Sequence, residues 1–445
     1  MEINSIIIIL RKKVVSICHK MKTTAFLFII IFITYFASSL QQSKDPCYLM
    51  SVDNNCSYLK EKKVILGRDH PAKQILIGHS GNEEHELYLV KLLETLPPHL
   101  LKVIITNKES EQSTKEITRG YHKIKVTSHE GLHFTWIQDY FKLITLGSGE
   151  KQLLSIPYPD KSVLNMNNAL INSCNLKQTK KYSISYFDEN VVTPGDYAGN
   201  IYPINDDLVV VGETMREDVF LELSKSISQK IIKIDTSWFE IGHVDELVSI
   251  FPIRKNSEHC QLALAYASPR IALDIIEIDS KKREELLNYR YFLNETTEEY
   301  TDCLLHLAGS EKRSIEDNVC HTFKAYNLNL EQLQVRNVDK IIKNIDKQSQ
   351  CKITHVFKLP VFFAPIDKTD DDELRGLART INPNPVNNFL IDKKVYLLKQ
   401  LYDPFEQYIE TYLKSLSFFP VLLDGVILHD MSGGTHCNTQ IIRGC

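Results

Sequence analysis

The chain has 445 residues, 43% apolar and 24% charged, with a formal net charge of −4. That composition suits a packed globular protein and lies outside the disordered range. With no dense Lys/Arg block to make a basic face, it also excludes a nucleic-acid binder of the electrostatic kind.

The chain opens on a leader. From Met21 it reads "MKTTAFLFIIIFITYFASSLQQ": a lysine, an apolar run from Ala25 to Phe36, then Ala37, Ser38 and Ser39. This is the layout of a cleavable secretory signal, and the run is shorter than the roughly 20 residues of a membrane span. A second apolar run, Ile6 to Leu10, precedes Arg11, Lys12 and Lys13, so Met21 is a candidate start; an uncleaved signal anchor is the alternative. The expected division is a leader over 1–39, a short segment over 40–70 and one catalytic domain over 71–445.

Cysteine usage agrees with export. Of ten cysteines, setting aside Cys18 and Cys437 leaves Cys47, Cys56, Cys174, Cys260, Cys303, Cys320, Cys351 and Cys445. These could form up to four disulfides in an oxidising compartment, and their pairing does not follow from sequence. Sequons at Asn55 and Asn294 are compatible with glycosylation.

Past the leader, apolar runs alternate with helical patterns. "QILIGHSG" predicts a buried strand, "NEEHELYLVKLLETLPP" a helix with Leu87, Val90, Leu93 and Leu96 at helical spacing, and "KVIIT" a returning strand. The theme recurs in "DLVVVGE", "REDVFLELSKSISQ" and "KIIKIDTSW", in "QLALAYASPR" with "IALDIIEID", and in "KVYLLKQL", "FEQYIETYLKSL" and "FPVLLDGVIL". A βαβ-type unit repeated four or five times predicts an α/β single domain. Residues 279–350 read as a charged elaboration with helices near Asp279–Tyr289 and Leu330–Ile345, and "INPNPVNNF" reads as a loop.

Three segments carry chemistry. "TWIQDYF" offers Trp136, Gln138 and Asp139; "WFEIGHVDELVSI" places His243 and Asp245 two apart in a strand pattern, on one face; "GGTHC" sets Cys437 behind Gly433 and Gly434. Singly, each has a plainer structural reading: a cap or ion pair, a polar strand face, half of a disulfide. Together they suit a guanidinium, whose paired N–H groups match two carboxylates. Asp139 and Asp245 would clamp the cation, Cys437 would attack its central carbon, and His243 would move the protons. No metal or organic cofactor is required by that scheme.

"WIQD", "WFEIGHVDELVSI", "ALAYASPR", "NPNPVNNFL" and the terminal "GGTHC" loop resemble the catalytic domain of the protein-arginine deiminases, in the same order. The resemblance runs from about Gln74 to the C-terminus. It implies a five-bladed α/β propeller of the pentein type, with Asp139 and Asp245 holding the guanidinium. His243 would be the general acid and base, Cys437 the nucleophile and Trp136 a wall along the substrate's aliphatic stem. The implied reaction converts peptidyl-arginine to citrulline and ammonia.

Departures from the family pattern are specific. Its immunoglobulin-like domains have no counterpart, and its calcium-binding carboxylates are replaced by Tyr140, Lys142 and Tyr202; a lysine would repel a calcium ion. Met431 stands where an arginine grips the peptide backbone, and the glycine pair is closer to agmatine and free-arginine deiminases. Three readings follow: a secreted calcium-independent deiminase of arginine in peptides or proteins, a deiminase of a small guanidino compound, or a guanidinium-binding protein with Cys437 tied to Cys445. None involves nucleic acid, or a membrane after signal cleavage.

Overall fold

The computed structural model describes residues 56–130, 135–156, 193–255, 260–278, 317–366 and 376–445, together with 158, 163, 165–167, 177–178 and 303–304. The expected signal segment, both sequon asparagines, Cys47, Cys174 and the helix expected near Asp279–Tyr289 lie outside them. No helix among the described residues is long and apolar enough to cross a membrane.

The βαβ reading holds, and the recurring unit carries one strand more than expected. Among the described residues there are five sheets of three or four strands and one two-stranded ladder, Phe363–Pro365 with Ala378–Thr380. In each of the five, a first strand pairs antiparallel with a second, which pairs parallel with a third. The triplets are Phe141–Leu146, Lys151–Ser155 and Lys177–Gln178; Ile201–Pro203, Leu208–Gly212 and Lys230–Ile234; and Val248–Lys255, Cys260–Ser268 and Cys351–Pro360. Phe389–Ile391, Lys394–Leu398 and Phe419–Leu423 form the fourth. The fifth joins the two ends of the chain, because the C-terminal strand Thr439–Arg443 pairs with Ala72–His79, which runs parallel to Leu101–Asn107.

Parallel neighbours need a crossover, and the amphipathic helices supply it. Glu83–Thr95 is one example. Asn82 caps its start by accepting from His85 N at 2.7 Å, three glutamates lie in its first turn, and Pro97 follows its end. Its buried stripe is His85, Tyr88, Leu89, Leu92 and Leu93; Leu87, expected on the core face, is 67% exposed. The stripe is set by the row Tyr88–Leu92 with its neighbours, one position round from the leucine spacing that stands out in the sequence. The helix expected over Leu330–Ile345 is the end of a longer one, Asp317–Gln348.

Five large apolar clusters each draw on two sheets. Leu76 and Val103 meet Ile137 and Phe141; Ile144 and Leu154 meet Ile201 and Val209; Leu208 and Val210 meet Ile250 and Leu264. Phe251 and Phe357 meet Leu390 and Leu397, and Phe389 and Leu398 meet Ile75 and Leu89. Every sheet therefore buries side chains against two others, which is how a chain of small sheets acquires a core.

The segment before Ala72 belongs to this body. Lys63–Ile65 pairs with Phe141–Leu146, and Cys56 is disulfide-bonded to Cys445. Two further disulfides join Cys260 to Cys351 and Cys303 to Cys320. The proposed Cys437–Cys445 link is therefore corrected: Cys445 is taken, and Cys437 is a free, buried thiol.

Candidate active site

The candidate residues sit at equivalent places in the five sheets. The segment entering the first strand of each sheet supplies part of one site: Trp136–Asp139, Ala198–Asn200, His243–Glu246, Asn384–Asn387 and Gly433–Cys437. Three of these entries contain a single 3₁₀ turn. Such a turn is a short, tightly wound connector of about three residues between regular elements.

That turn corrects one expectation. His243 and Asp245 do not alternate along a strand; His243 is extended (φ −92°, ψ 140°) and precedes the turn Val244–Glu246, while the strand begins at Val248. The two residues still converge, because Val244 is buried in the core beneath them. Asp139, His243, Asp245 and Cys437 are all buried, at 6%, 1%, 1% and 4% exposure.

Hydrogen bonds fix their orientation. His243 directs Nε2 at the carbonyl of Pro194, 2.7 Å away, so Nε2 carries the proton and Nδ1 faces inward. Nδ1 lies 3.8 Å from Asp139 Oδ1 and 4.0 Å from Asp245 Oδ1. His436 Nδ1 donates to the other oxygen of Asp245 at 2.6 Å. Asp139 Oδ1, Asp245 Oδ1 and His243 Nδ1 are buried and have no hydrogen-bond partner. Orphaned buried polar atoms are costly and uncommon, and here three of them face one another.

The thiol is held by residues the sequence reading left in a loop. Asn387 donates to Cys437 Sγ at 2.9 Å and to Glu246 Oε1 at 2.7 Å. Its oxygen accepts from the backbone N–H groups of His436 and Cys437 at 2.9 and 3.2 Å. Asn384 donates to the other oxygen of Glu246 at 2.7 Å, and Cys437 Sγ lies 3.5 Å from Glu246 Oε1. The backbone of Gln138 donates to the Cys437 carbonyl at 3.1 Å, tying the first entry segment to the last. An asparagine offers two donors and two acceptor lone pairs without charge, and the cluster of them around Pro383 and Pro385 was the available signal.

The glycine pair is explained by crowding. A Cβ on Gly433 would lie 2.5 Å from the Trp136 ring, and one on Gly434 would lie 2.6 Å from Asn387 Oδ1. The left-handed residue is Ser432, at φ 61°. The close approach is thus that of Trp136 and Asn387 to the loop.

Burial raises the Asp139 carboxyl to about 6, with Asp245 adding to it and His243 and Lys142 opposing. Burial pushes Asp245 up, yet the hydrogen bond from His436 and the neighbouring His243 and Lys142 hold it below the usual range. Burial, then the Asp245 charge, pushes Glu246 up to about 8, so it is mostly protonated at neutral pH. His436 is pushed down to about 4 by burial and is neutral there. Burial and the carboxylates of Asp245, Glu246 and Asp139 push the Cys437 thiol well above its usual value.

Asp245, Glu246 and Cys437 bring one ligand atom each within 4.8 Å of one another, as do Asp69, His70 and Asp206, so either group could hold a metal ion. The positions where the family resemblance implies calcium do not fit that ion. Tyr140 packs edge-on against Tyr158, the Tyr202 hydroxyl accepts from Ile250 N, and Lys142 is 2% exposed beside Gln138. An ammonium and two phenols are the wrong donors for a hard divalent cation.

The sequence profile of the protein-arginine deiminase family matches residues 205–445. No curated protein matches the chain in sequence. Among solved structures, one provisionally named an agmatine deiminase is 12% identical, with a TM-score of 0.56, covering 86% of this chain and 96% of its own. Agmatine deiminase of Enterococcus faecalis is 11% identical, with a TM-score of 0.51, covering 85% and 95%. A structure provisionally named a peptidyl-arginine deiminase is 12% identical, with a TM-score of 0.50, covering 86% and 99%. At these identities the likeness is one of fold, an α/β fold shared over most of each chain.

Proposed function

The chain belongs to the protein-arginine deiminase family, and on that footing we propose that it hydrolyses the guanidino group of arginine in peptides, giving citrulline and ammonia. The observation that carries this reading is the convergence of three unpartnered buried atoms, Asp139 Oδ1, Asp245 Oδ1 and His243 Nδ1, beside a free buried thiol. A guanidinium supplies the donors that the two carboxylates lack. The five apolar clusters between successive sheets support reading the architecture as a five-bladed propeller with this site at its axis.

In the proposed reaction, the substrate cation settles between Asp139 and Asp245 with its stem along Trp136. Its positive charge offsets the carboxylates that hold the thiol proton on, so Cys437 ionises as the site fills and its proton passes to His243 Nδ1. The thiolate attacks the guanidino carbon; His243 passes a proton from Nδ1 to the departing nitrogen, and the C–N bond breaks to release ammonia. Water then attacks the thiouronium carbon as His243 Nδ1 takes one of its protons. The remaining hydroxyl proton passes to the departing sulfur as the C–S bond breaks, which returns the Cys437 thiol and frees the ureido product, and His243 gives its proton up with the ammonia as ammonium. Asp139 and Asp245 remain ionised throughout, and no step calls on calcium. The three disulfides among the described residues agree with the expected export into an oxidising compartment.

A small guanidino substrate is the second reading, favoured by Met431, 37% exposed, where the family pattern has a peptide-gripping arginine. The test offers the oxidised protein an acylated arginine peptide, free arginine and agmatine, each with calcium and with chelator, and measures ureido product. Chelator-insensitive turnover of the peptide is expected, and absent on Cys437→Ala with an unchanged circular dichroism spectrum. Turnover of the small guanidines alone would select the second reading, and turnover by Cys437→Ala would remove the nucleophile assignment.

A further inference from the structure

Beside the candidate site lies a cavity of about 50 Å³ whose walls include Arg68, Lys142 and Arg443 and, among the described residues, no carboxylate. Judged by the ~10–15 Å³ that one buried water needs, it has room for a group of a few heavy atoms. Its wall also contains Gln138, His436 and Gln440 but none of Asp139, His243, Asp245 or Cys437. It is therefore a separate compartment, joined to the site through His436, which holds Asp245, and through Gln138 and Lys142, which flank Asp139.

Each of the three cations makes its hydrogen bonds to neutral groups. Arg68 is 8% exposed, lies 5.5 and 5.8 Å from the ring centres of Tyr202 and Phe251, and donates to Ser249 Oγ and Asn388 Oδ1 at 2.7 Å. Arg443 donates to the carbonyls of His70 at 2.7 Å and Leu390 at 2.9 Å. The Lys142 ammonium donates to the side-chain oxygen of Gln138 once that amide is turned so that its nitrogen meets Thr439 O at 2.9 Å. Burial and the proximity of Arg68 lower the Arg443 guanidinium to about 10, and burial lowers Lys142 to about 8. Asp245 and Asp139 act on Lys142 and Asp245 on Arg68 from the candidate site, Asp69 and Asp392 act on Arg443, and Glu246 and His436 are neutral. A bound substrate guanidinium would place a further positive charge near Lys142 and Arg68, and like charges brought together in a buried site repel at a cost.

We propose that this cavity binds a small oxyanion, such as phosphate, sulfate or a carboxylate, held by Arg68, Lys142 and Arg443, and that its occupancy tightens guanidinium binding in the neighbouring site. The coupling rests on the deiminase reading; the binding itself does not. An anion there screens Lys142 and Arg68 from the incoming cation, while the hydrogen bond from His436 leaves Asp245 in place to receive it.

The test titrates inorganic phosphate and sulfate into the intact oxidised protein at constant ionic strength, following binding by calorimetry and thermal shift. Saturable binding is expected, weakened at least tenfold in Lys142→Gln and in Arg443→Gln, and largely kept in Arg443→Lys. Should Arg443→Gln fail to fold, Lys142→Gln decides alone. A shift that does not saturate, or that is equal in every variant, is the general exclusion effect of such salts and overturns the proposal, as does no binding. Agmatine is then titrated into Cys437→Ala with and without phosphate. An affinity raised severalfold by phosphate is expected, and unchanged affinity overturns the coupling. Absence of any guanidinium binding alongside intact phosphate binding would instead count against the deiminase reading alone.

Discussion

Asn387 touches Cys437 twice, donating to its Sγ at 2.9 Å and accepting from its backbone N–H at 3.2 Å. One side chain thereby sets both the position of the sulfur and the path of the loop that carries it. A preorganised donor aimed at developing negative charge is worth about 10²–10³ in rate. Asn387→Asp keeps the acceptor for the loop and removes the donor to sulfur, so kcat should fall by roughly that factor with little change in KM. The pH dependence of iodoacetamide alkylation, followed by intact mass, should move to higher pH in this variant. An unmoved alkylation profile would mean that Asn387 shapes the loop without acting on the thiolate.

Guanidinium affinity should depend on pH through Asp139. Its carboxyl titrates near 6 in the empty site because burial disfavours the charge. Below that value it is neutral and cannot pair with a cation; above it the clamp is complete. The dissociation constant of agmatine from Cys437→Ala should therefore worsen about tenfold per pH unit below 6 and level off above. Stability works in the opposite sense. A carboxyl whose folded value is raised from 3.8 contributes stability that is full below about 4 and lost as pH rises through 6. Bound guanidinium should restore that loss, giving a larger ligand-induced thermal shift at pH 7.5 than at pH 5. Asp139→Asn should abolish the pH step in affinity; persistence of the step would place it on another group.

Much of this arrangement was legible because local pattern and chemistry coincide. The strand–helix–strand periodicity, the Asp139, His243, Asp245 and Cys437 set, and the tight glycine loop are all short-range signals. What was hidden depends on pairing across the chain. Asn387 reads as a turn residue until Glu246 and Cys437 are brought to it, and Arg68 lies in the short segment set outside the catalytic domain until Asn388 and Ser249 meet it. The His243–Asp245 spacing suggested a strand because alternation and a 3₁₀ turn look alike over three residues. The partner of Cys445, 389 residues away, was one of many possible pairings.

Gly199 is a second crowding point and gives a clean steric test. A Cβ there would come within 2.4 Å of Asp139 Oδ1 and 2.6 Å of His243 Nδ1. His243 cannot retreat without breaking its 2.7 Å bond to Pro194, so the added methyl must push the Asp139 carboxylate into the space assigned to substrate. Overpacking of this kind costs about 1–3 kcal/mol in stability. The loss in kcat/KM for Gly199→Ala should be a hundredfold or more by the usual sensitivity to ~1 Å misplacement, in protein that is still folded at the assay temperature. Near-normal kcat/KM would show that the guanidinium does not rest against Asp139 Oδ1.

The disulfide between Cys56 and Cys445 lies close to the chemistry in sequence terms. The strand Thr439–Arg443 begins two residues after Cys437 and ends two before Cys445. A fraying C-terminus would therefore loosen the nucleophile loop, and the bond to Cys56, itself buried in a small cluster with Leu59 and Val64, closes off that motion. Cys260 and Cys351, by contrast, face each other in register on parallel strands that already pair along their length. Removing either bond should lower stability by about 2–5 kcal/mol, the usual cost of losing a native disulfide. Only the Cys56→Ser, Cys445→Ser double variant should also lose kcat, through a less ordered Cys437 loop. Hydrogen exchange over residues 433–445 would check this, with faster exchange expected in that variant and unchanged exchange in Cys260→Ser, Cys351→Ser. Equal kcat in the two double variants would mean that the sheet alone holds the loop, and that the bond to Cys56 serves stability without serving the site.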